Sequence, residues 1–227
     1  MRKLVVLVAV LLALGAWTAP GQAAPVIELW EYAFNLDGVV TNGSAPAGVN
    51  LAGFDTTTGL GTVGVTVTGA GAHYVAFFAD HEINAAANTF FNEYGSVTGA
   101  PGAGLSWEID EPEHVFGDIY TNFTNGALDN NNAVPQASPD DVSMALGWDF
   151  ILQVGETATI SFALGTTAPG GFFLQQTDPD AVFADPGSVY FGSGLQIGGG
   201  EVPVPEPSML LVVGSGFAWL VFSRKRG

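Results

Sequence analysis

The residues Met144–Leu164 read MALGWDFILQVGETATISFAL, and this stretch decides the fold class. Apolar residues alternate with polar or small ones on both sides of Gly155-Glu156. That two-residue period is typical of strands with one face on a core. A glycine turn between two such runs is typical of a hairpin. We therefore predict a β-hairpin here, with one face of each strand packed in the core.

Other stretches have the same character. Valine and threonine alternate over Gly61–Gly69, while Ala72–Ala79 is mostly apolar, as in a buried strand. The remaining predicted strands are Val26–Phe34, Leu105–Ile109, Val115–Phe123, Phe172–Gln175 and Ser188–Ile197. Many strands separated by glycine-rich turns predict an all-β fold, a single jelly-roll-like β-sandwich over residues 24–197.

One stretch has a helical period instead. Between His81 and Tyr94 the apolar residues recur at spacings of three and four. Asp80 stands where an N-cap would, and Gly95 stands where a C-cap glycine would. We predict one short helix here, packed on a sheet.

The charge distribution excludes several functions. All five basic residues lie near the two ends, so residues 24–223 contain no Lys or Arg and hold all 22 acidic residues. A nucleic-acid site needs cations to neutralise phosphates, so nucleic acid is excluded as a partner. The chain has no cysteine and therefore no disulfide.

The N-terminal residues indicate export. Arg2 and Lys3 precede an apolar run, Leu4–Trp17, and small residues flank Gln22. This order is that of a secretory signal peptide, which we predict over residues 1–23. Signal peptidase and the secretion machinery are then the first partners of the chain.

The C-terminal residues form a second signal. Residues 198–204 form a predicted Gly/Pro linker, and Pro205-Glu206-Pro207, the apolar run Met209–Phe222 and Arg224-Lys225-Arg226 then follow in order. A helix of about 14 residues spans roughly 21 Å, which is short of the roughly 30 Å hydrocarbon core. The cations behind it favour the cytoplasmic side, which leaves the domain outside.

This tail, residues 205–227, resembles the PEP-CTERM sorting signal, which is also labelled an ice-binding-protein C-terminal domain. The residues that match are Pro205, Glu206, Pro207, Arg224, Lys225 and Arg226. The resemblance implies an exosortase-like membrane enzyme as partner and a Gram-negative host that makes an extracellular polysaccharide. It implies transient anchoring at the inner membrane, then the envelope, outer surface or matrix as the destination. The stretch Asp141–Trp148 also resembles one found in the ectodomains of other PEP-CTERM proteins, and it brings no activity with it.

Clustered acids and histidines are candidate metal ligands. Asp80, His81 and Glu82 are consecutive, and a second group comprises Glu108, Asp110, Glu111, Glu113 and His114. Oxygen-rich clusters suit Ca²⁺, and histidine in the cluster would suit Zn²⁺ or Mn²⁺. The alternative is that Asp80 and Glu82 favour the N-terminus of the predicted helix and that the later acids lie on a solvated turn.

Aromatic side chains are candidate sugar contacts. Trp30 and Trp148 lie on strands with an apolar pattern, where core packing is expected, so Trp107, beside the acidic group, is the candidate for a carbohydrate contact. No G-x-S-x-G motif or cysteine nucleophile is present, and we predict that the protein is not an enzyme.

These features predict an exported surface or matrix protein that is sorted by an exosortase-like enzyme and has a structural or adhesive role. The alternative is a module that binds polysaccharide or Ca²⁺.

Overall fold

The computed structural model describes residues 25–86, 89–113, 115–179 and 187–199. Most of these residues lie in strands, with one α-helix, α1 (Ile119–Asn125), and one 3₁₀ helix (Phe90–Asn92). The strands are β1 (Ile27–Leu36), β2 (Val39–Asn42), β3 (Val49–Asp55), β4 (Leu60–Thr68), β5 (Gly71–Ile83), β6 (Tyr94–Thr98), β7 (Leu105–Asp110), β8 (Ser143–Leu152), β9 (Glu156–Gly165), β10 (Phe173–Asp178) and β11 (Gly187–Gly199).

The strands form two antiparallel sheets, and the all-β prediction is confirmed. The first sheet has the order β2-β1-β5-β8-β7, and the second has the order β3-β4-β9-β11-β10-β6. All but one of the predicted strands coincide with strands of the structure. The exception is Val115–Phe123, whose second half belongs to α1. Ile119 and Phe123 are four residues apart and both buried, which is the spacing of one face of a helix.

The predicted hairpin over Met144–Leu164 is wrong, although both of its strands exist. β8 pairs with β5 and β7 in the first sheet, whereas β9 pairs with β4 and β11 in the second. The turn after Leu152 therefore connects the two sheets. Alternation identifies the buried face of a strand but does not identify the strand beside it.

The helix predicted between His81 and Tyr94 is also wrong. β5 continues through Ile83, because its backbone pairs with β1 as far as Ile27. Asp80 is therefore a strand residue and not an N-cap, and Gly95 lies in β6. The ladder hydrogen bonds to β1 outweigh the helical spacing of the side chains.

The main core lies between the sheets. Phe77 of β5 stacks on Phe34 of β1, with ring centroids 4.8 Å apart. It also contacts Phe162 of β9 at 5.7 Å and Phe191 of β11 at 5.8 Å, both in the second sheet. Ring pairs at these distances add to the hydrophobic stabilisation, so Phe77 joins the two sheets.

The outer face of the first sheet has two parts. Helix α1 covers one part, where its Ile119 and Phe123 pack on Ala76 and Phe78 of β5. Side chains alternate along a strand, so Asp80 and Glu82 continue the same outer face beyond the helix.

The terminal predictions lie outside the described residues, namely the signal peptide over 1–23 and the sorting signal over 205–227. β11 extends to Gly199, which pairs with Glu156, so Gly198 and Gly199 of the predicted linker lie in the sheet. Within the described ranges, no helix has the length and apolar character that crossing a membrane requires.

Candidate functional site

Carboxyl groups gather on the outer face of the first sheet, beyond the edge of α1. Glu28 of β1 stands directly opposite Glu82 of β5, and Asp80 lies two residues before Glu82 on the same face. The loop that follows β7 adds Glu111, and the segment that leads into β8 adds Asp141.

These five carboxyl groups line a cavity of about 670 Å³. The walls between them are largely apolar, and the two loops that flank the sheet supply most of these walls. The other lining residues are Trp30, Ala85, Thr89, Phe90, Phe91, Pro112, Val115 and Phe116. A concave, mostly apolar site with a few polar groups is the usual form of a ligand site.

Asp80 is the most buried of the carboxyl groups, with 1% of the residue exposed. Its Oδ1 has no hydrogen-bond partner among the described residues, and neither has Oε2 of Glu82. Burial, together with the negative charges of Asp141, Glu82 and Glu31, raises the pKa of Asp80 well above its usual value. Burial, with Asp141 and Glu28 nearby, raises the pKa of Glu82 to about 7. The cavity therefore contains more carboxyl groups than its surroundings can stabilise in the ionised form.

No basic side chain lies among the described residues that line this cavity. No Lys or Arg occurs in residues 24–223. The ion pair found in the part of the chain that the structure describes joins His73 to Asp37 at 2.9 Å, and neither residue lines the cavity. Among the described residues, no positively charged side chain lines the cavity to neutralise these carboxyl groups.

Large aromatic side chains at the cavity are exposed to solvent. Trp30 is 70% exposed, Phe116 67% and Phe91 59%, and the rings of Phe90 and Phe91 lie 4.2 Å apart. Side chains of this size are normally buried, and a group of them at one cavity marks an interaction surface.

A β-bulge in β1 explains the direction of Trp30. The pairing of β1 with β5 shifts register between Leu29 and Glu31, which leaves Trp30 as the extra residue. Before the bulge Leu29 packs against the core, and after it Tyr32 does so. The expectation that Trp30 packs in the core is therefore wrong, because the bulge changes the phase of the strand.

The other predicted tryptophans behave differently. Trp148 is buried in the main core as expected, and its indole Nε1 donates to Ser193 Oγ at 2.7 Å. Trp107 packs partly buried against the core, with its ring 6.2 Å from that of Phe172. Trp107 does not line the cavity.

His81 is separated from its sequence neighbours by the alternation of the strand. It is fully buried on the inner face, and its Nε2 lies 3.2 Å from the carbonyl oxygen of Gly59. Burial lowers its pKa to about 4, so it is neutral at pH 7. His81 therefore cannot share a metal ion with Asp80 and Glu82 in the way the sequence suggested.

The structure separates the members of the second predicted group. Glu108 and Asp110 come together with Asp118, and their closest oxygens lie within 4.8 Å of one another. Glu108 accepts hydrogen bonds from Asn122 Nδ2 at 2.9 Å and from the backbone N–H of Asp129 at 3.2 Å. Asp110 accepts from two backbone N–H groups at 2.9 and 2.8 Å. These bonds hold α1 and the loops around it against the sheet.

The remaining members have separate positions. Glu111 lines the cavity, and Glu113 accepts hydrogen bonds from the backbone N–H and Oγ1 of Thr121 in α1. His114 lies outside the described residues. Sequence reasoning thus found Asp80, Glu82 and Glu111 but missed the aromatic walls.

In comparisons with known proteins, the chain matches no family model, no curated protein and no solved structure.

Proposed function

We propose that this chain is an exported protein of the envelope or extracellular matrix of a Gram-negative bacterium and that it acts by binding rather than by catalysis. Its domain is a β-sandwich of jelly-roll-like character. Its role is structural or adhesive, and it is performed by holding extracellular polysaccharide at the cavity on the first sheet.

One observation carries the binding part of the proposal: Trp30 is exposed at a cavity lined by carboxyl groups. A sugar ring offers an apolar face that can stack on an indole, and its hydroxyl groups can donate to carboxyl oxygens such as those of Glu28 and Glu82. The volume of about 670 Å³ lies within the range of small-ligand sites.

Trp30→Ala tests this role in cells. Removing the stacking face is expected to lower the affinity for polysaccharide up to about tenfold, since one stacked ring is worth up to about 1.5 kcal/mol. The measurement compares the chain retained with the extracellular polysaccharide and the chain released to the medium. Ile151→Ala is the matched control, because Ile151 is 64% exposed and does not line the cavity. Equal retention of the two variants would contradict the proposal.

The sorting part rests on the resemblance of residues 205–227 to PEP-CTERM signals. Replacing Pro205, Glu206 and Pro207 together by alanine is expected to stop processing by the exosortase-like enzyme. The full chain, minus its signal peptide, should then accumulate in the inner membrane. Immunoblots of cell fractions measure this, with Pro203→Ala as control. Normal processing of the triple variant would remove the sorting proposal.

Ca²⁺ binding is the second candidate function, and it is favoured by the proximity of Glu108, Asp110 and Asp118. An ion there would share oxygens that already accept hydrogen bonds. At about 100 times its dissociation constant, Ca²⁺ would add about 2.7 kcal/mol to the stability of the full chain. A rise in melting temperature in Ca²⁺ over EDTA that Asp118→Asn abolishes would support this candidate. An unchanged melting temperature would eliminate it.

A further inference from the structure

We propose that the cavity selects sugars that carry a free amino group, so that its ligand is an amine-bearing polysaccharide of the glucosamine type. This inference rests on the proposed function and names the ligand class of the same cavity. The ammonium group binds Asp80 and Glu82, and the sugar ring lies against Trp30.

The charge of the cavity favours a cationic ligand. Five carboxyl groups line the cavity, and residues 24–223 supply no Lys or Arg to neutralise them. The chain as a whole carries a formal charge of −17 at pH 7. A cationic ligand is attracted to this surface, whereas a uronic-acid polysaccharide is repelled.

Two buried oxygen atoms at the cavity need hydrogen-bond donors. Oδ1 of Asp80 and Oε2 of Glu82 are buried acceptors without a hydrogen-bond partner among the described residues. Asp80 is only 1% exposed and lines the cavity. A buried polar atom without a partner is destabilising, and a donor that arrives with a ligand removes this cost. An ammonium group brings three N–H donors and a positive charge at once.

The size and lining of the cavity favour an organic cation over a metal ion. Ca²⁺ requires about six to eight oxygen ligands at short range, which a small, oxygen-lined site supplies. This cavity measures about 670 Å³, and Phe90, Phe91 and Phe116 form much of its wall. Aromatic faces attract organic cations and pack against apolar surface, so the lining suits an amine on a carbon framework.

The position of Trp30 favours a sugar ring as the carrier of the amino group. The bulge in β1 turns its indole out of the core and towards the same cavity as Asp80 and Glu82. A stacking face and buried acceptors on adjacent strands suit a ring that carries an amino group. A simple polyamine would not need the indole.

The test is a calorimetric titration of the full chain in mild detergent at pH 6, where binding of the ammonium group is expected to release protons from Asp80 and Glu82, because burial raises the pKa of both groups in the free chain. The probes are a β-1,4-linked tetramer of glucosamine and the corresponding tetramer of N-acetylglucosamine, which differ in the charge of the nitrogen. We expect the amine to bind at least about tenfold more tightly, and we expect this preference to shrink at high salt. Equal binding of the two tetramers, or tighter binding of the acetylated one, would overturn the inference.

Glu82→Gln places the effect at the cavity. It removes one buried carboxyl group that is surrounded by like charges, so folding is not expected to suffer. We expect at least a tenfold loss of affinity for the amine tetramer, with Asp80→Asn as a second variant of the same effect. Glu156→Gln is the control for net charge, because Glu156 lies in β9 of the other sheet. Equal loss in Glu82→Gln and Glu156→Gln would show a general charge effect and overturn the inference.

A tetramer of lysine distinguishes a glycan from a peptide. Binding of tetralysine without binding of the glucosamine tetramer would overturn the inference in favour of a basic peptide. Tight Trp30-dependent binding of the acetylated tetramer would overturn the amine preference but leave the polysaccharide function intact. Failure of both glycans, with normal retention of Trp30→Ala in cells, would remove both proposals.

Discussion

Phe77→Ala is expected to lower the free energy of unfolding by about 3–5 kcal/mol, the range for a fully buried phenylalanine. Phe77 has no exposed surface, and its ring contacts aromatic rings of both sheets. The cavity left by the substitution would therefore lie where the two sheets meet. Urea denaturation of the full chain, followed by near-UV circular dichroism, measures the change.

Phe116→Ala is the matched control for this prediction. Phe116 is 67% exposed in the loop after β7, so its removal should change stability by no more than about 0.5 kcal/mol. A loss below about 1 kcal/mol in Phe77→Ala would mean that the two sheets do not share this core.

Stability is expected to fall as the pH rises from about 4.5 to about 9, and Glu93 is the main reason. Glu93 has no exposed surface, its Oε1 accepts from the backbone N–H of Ile83, and its Oε2 contacts the amide of Gln176. Burial raises its pKa to about 9. Between the two pKa values the folded chain keeps a proton that the unfolded chain releases, so each pH unit costs about 1.4 kcal/mol. Glu82 and Glu108, with pKa values raised to about 7, act in the same direction.

Glu93→Gln isolates this effect, because its side chain stays neutral at all pH values and nearly keeps the shape of the protonated acid. At pH 8 the variant is expected to be more stable than the wild type, by on the order of 4 kcal/mol, and at pH 4.5 the two should be similar. Thermal unfolding at a series of pH values provides the comparison. If the stability of the wild type and of Glu93→Gln changes with pH in the same way, Glu93 is not the group that causes the loss of stability at high pH.

The alternation of side chains predicted the strands and their buried faces well. Over Met144–Leu164 it placed Leu146 and Phe162 in the core correctly. It could not show that β8 and β9 lie in different sheets, since a turn within one sheet and a turn between two sheets leave the same local pattern. The pairing depends on contacts with β4, β5, β7 and β11, which are distant in sequence.

Helical spacing predicted the helix in the wrong place. The spacing between His81 and Tyr94 is real, but Ile83 is held by β1 and by the Glu93 side chain. The true helix is short, and its buried face consists of Ile119 and Phe123, which fits within a strand pattern equally well. Two buried residues are too few to decide between a helix and a strand.

The sequence predicted the acidic residues of the candidate site but not the exposure of Trp30. The acids that line the cavity include Asp80, Glu82 and Glu111, all found from clustering in the sequence. Strand parity alone separates His81 from both of its neighbours once residue 81 is placed in a strand. Trp30 was not predictable in this way, since its phase matches that of Tyr32 and Phe34, which pack in the core. The bulge that breaks this phase is visible only in the pairing of β1 with β5.

The most direct test of polysaccharide binding at the cavity is an equilibrium titration of the purified full chain with the extracellular polysaccharide of the producing bacterium, followed by calorimetry. If polysaccharide binds at the cavity, the wild type gives a saturable binding signal. This signal is largely lost in Trp30→Ala and preserved in Ile151→Ala. A wild-type chain that shows no saturable change, or a Trp30→Ala chain that binds as tightly as the wild type, would contradict it.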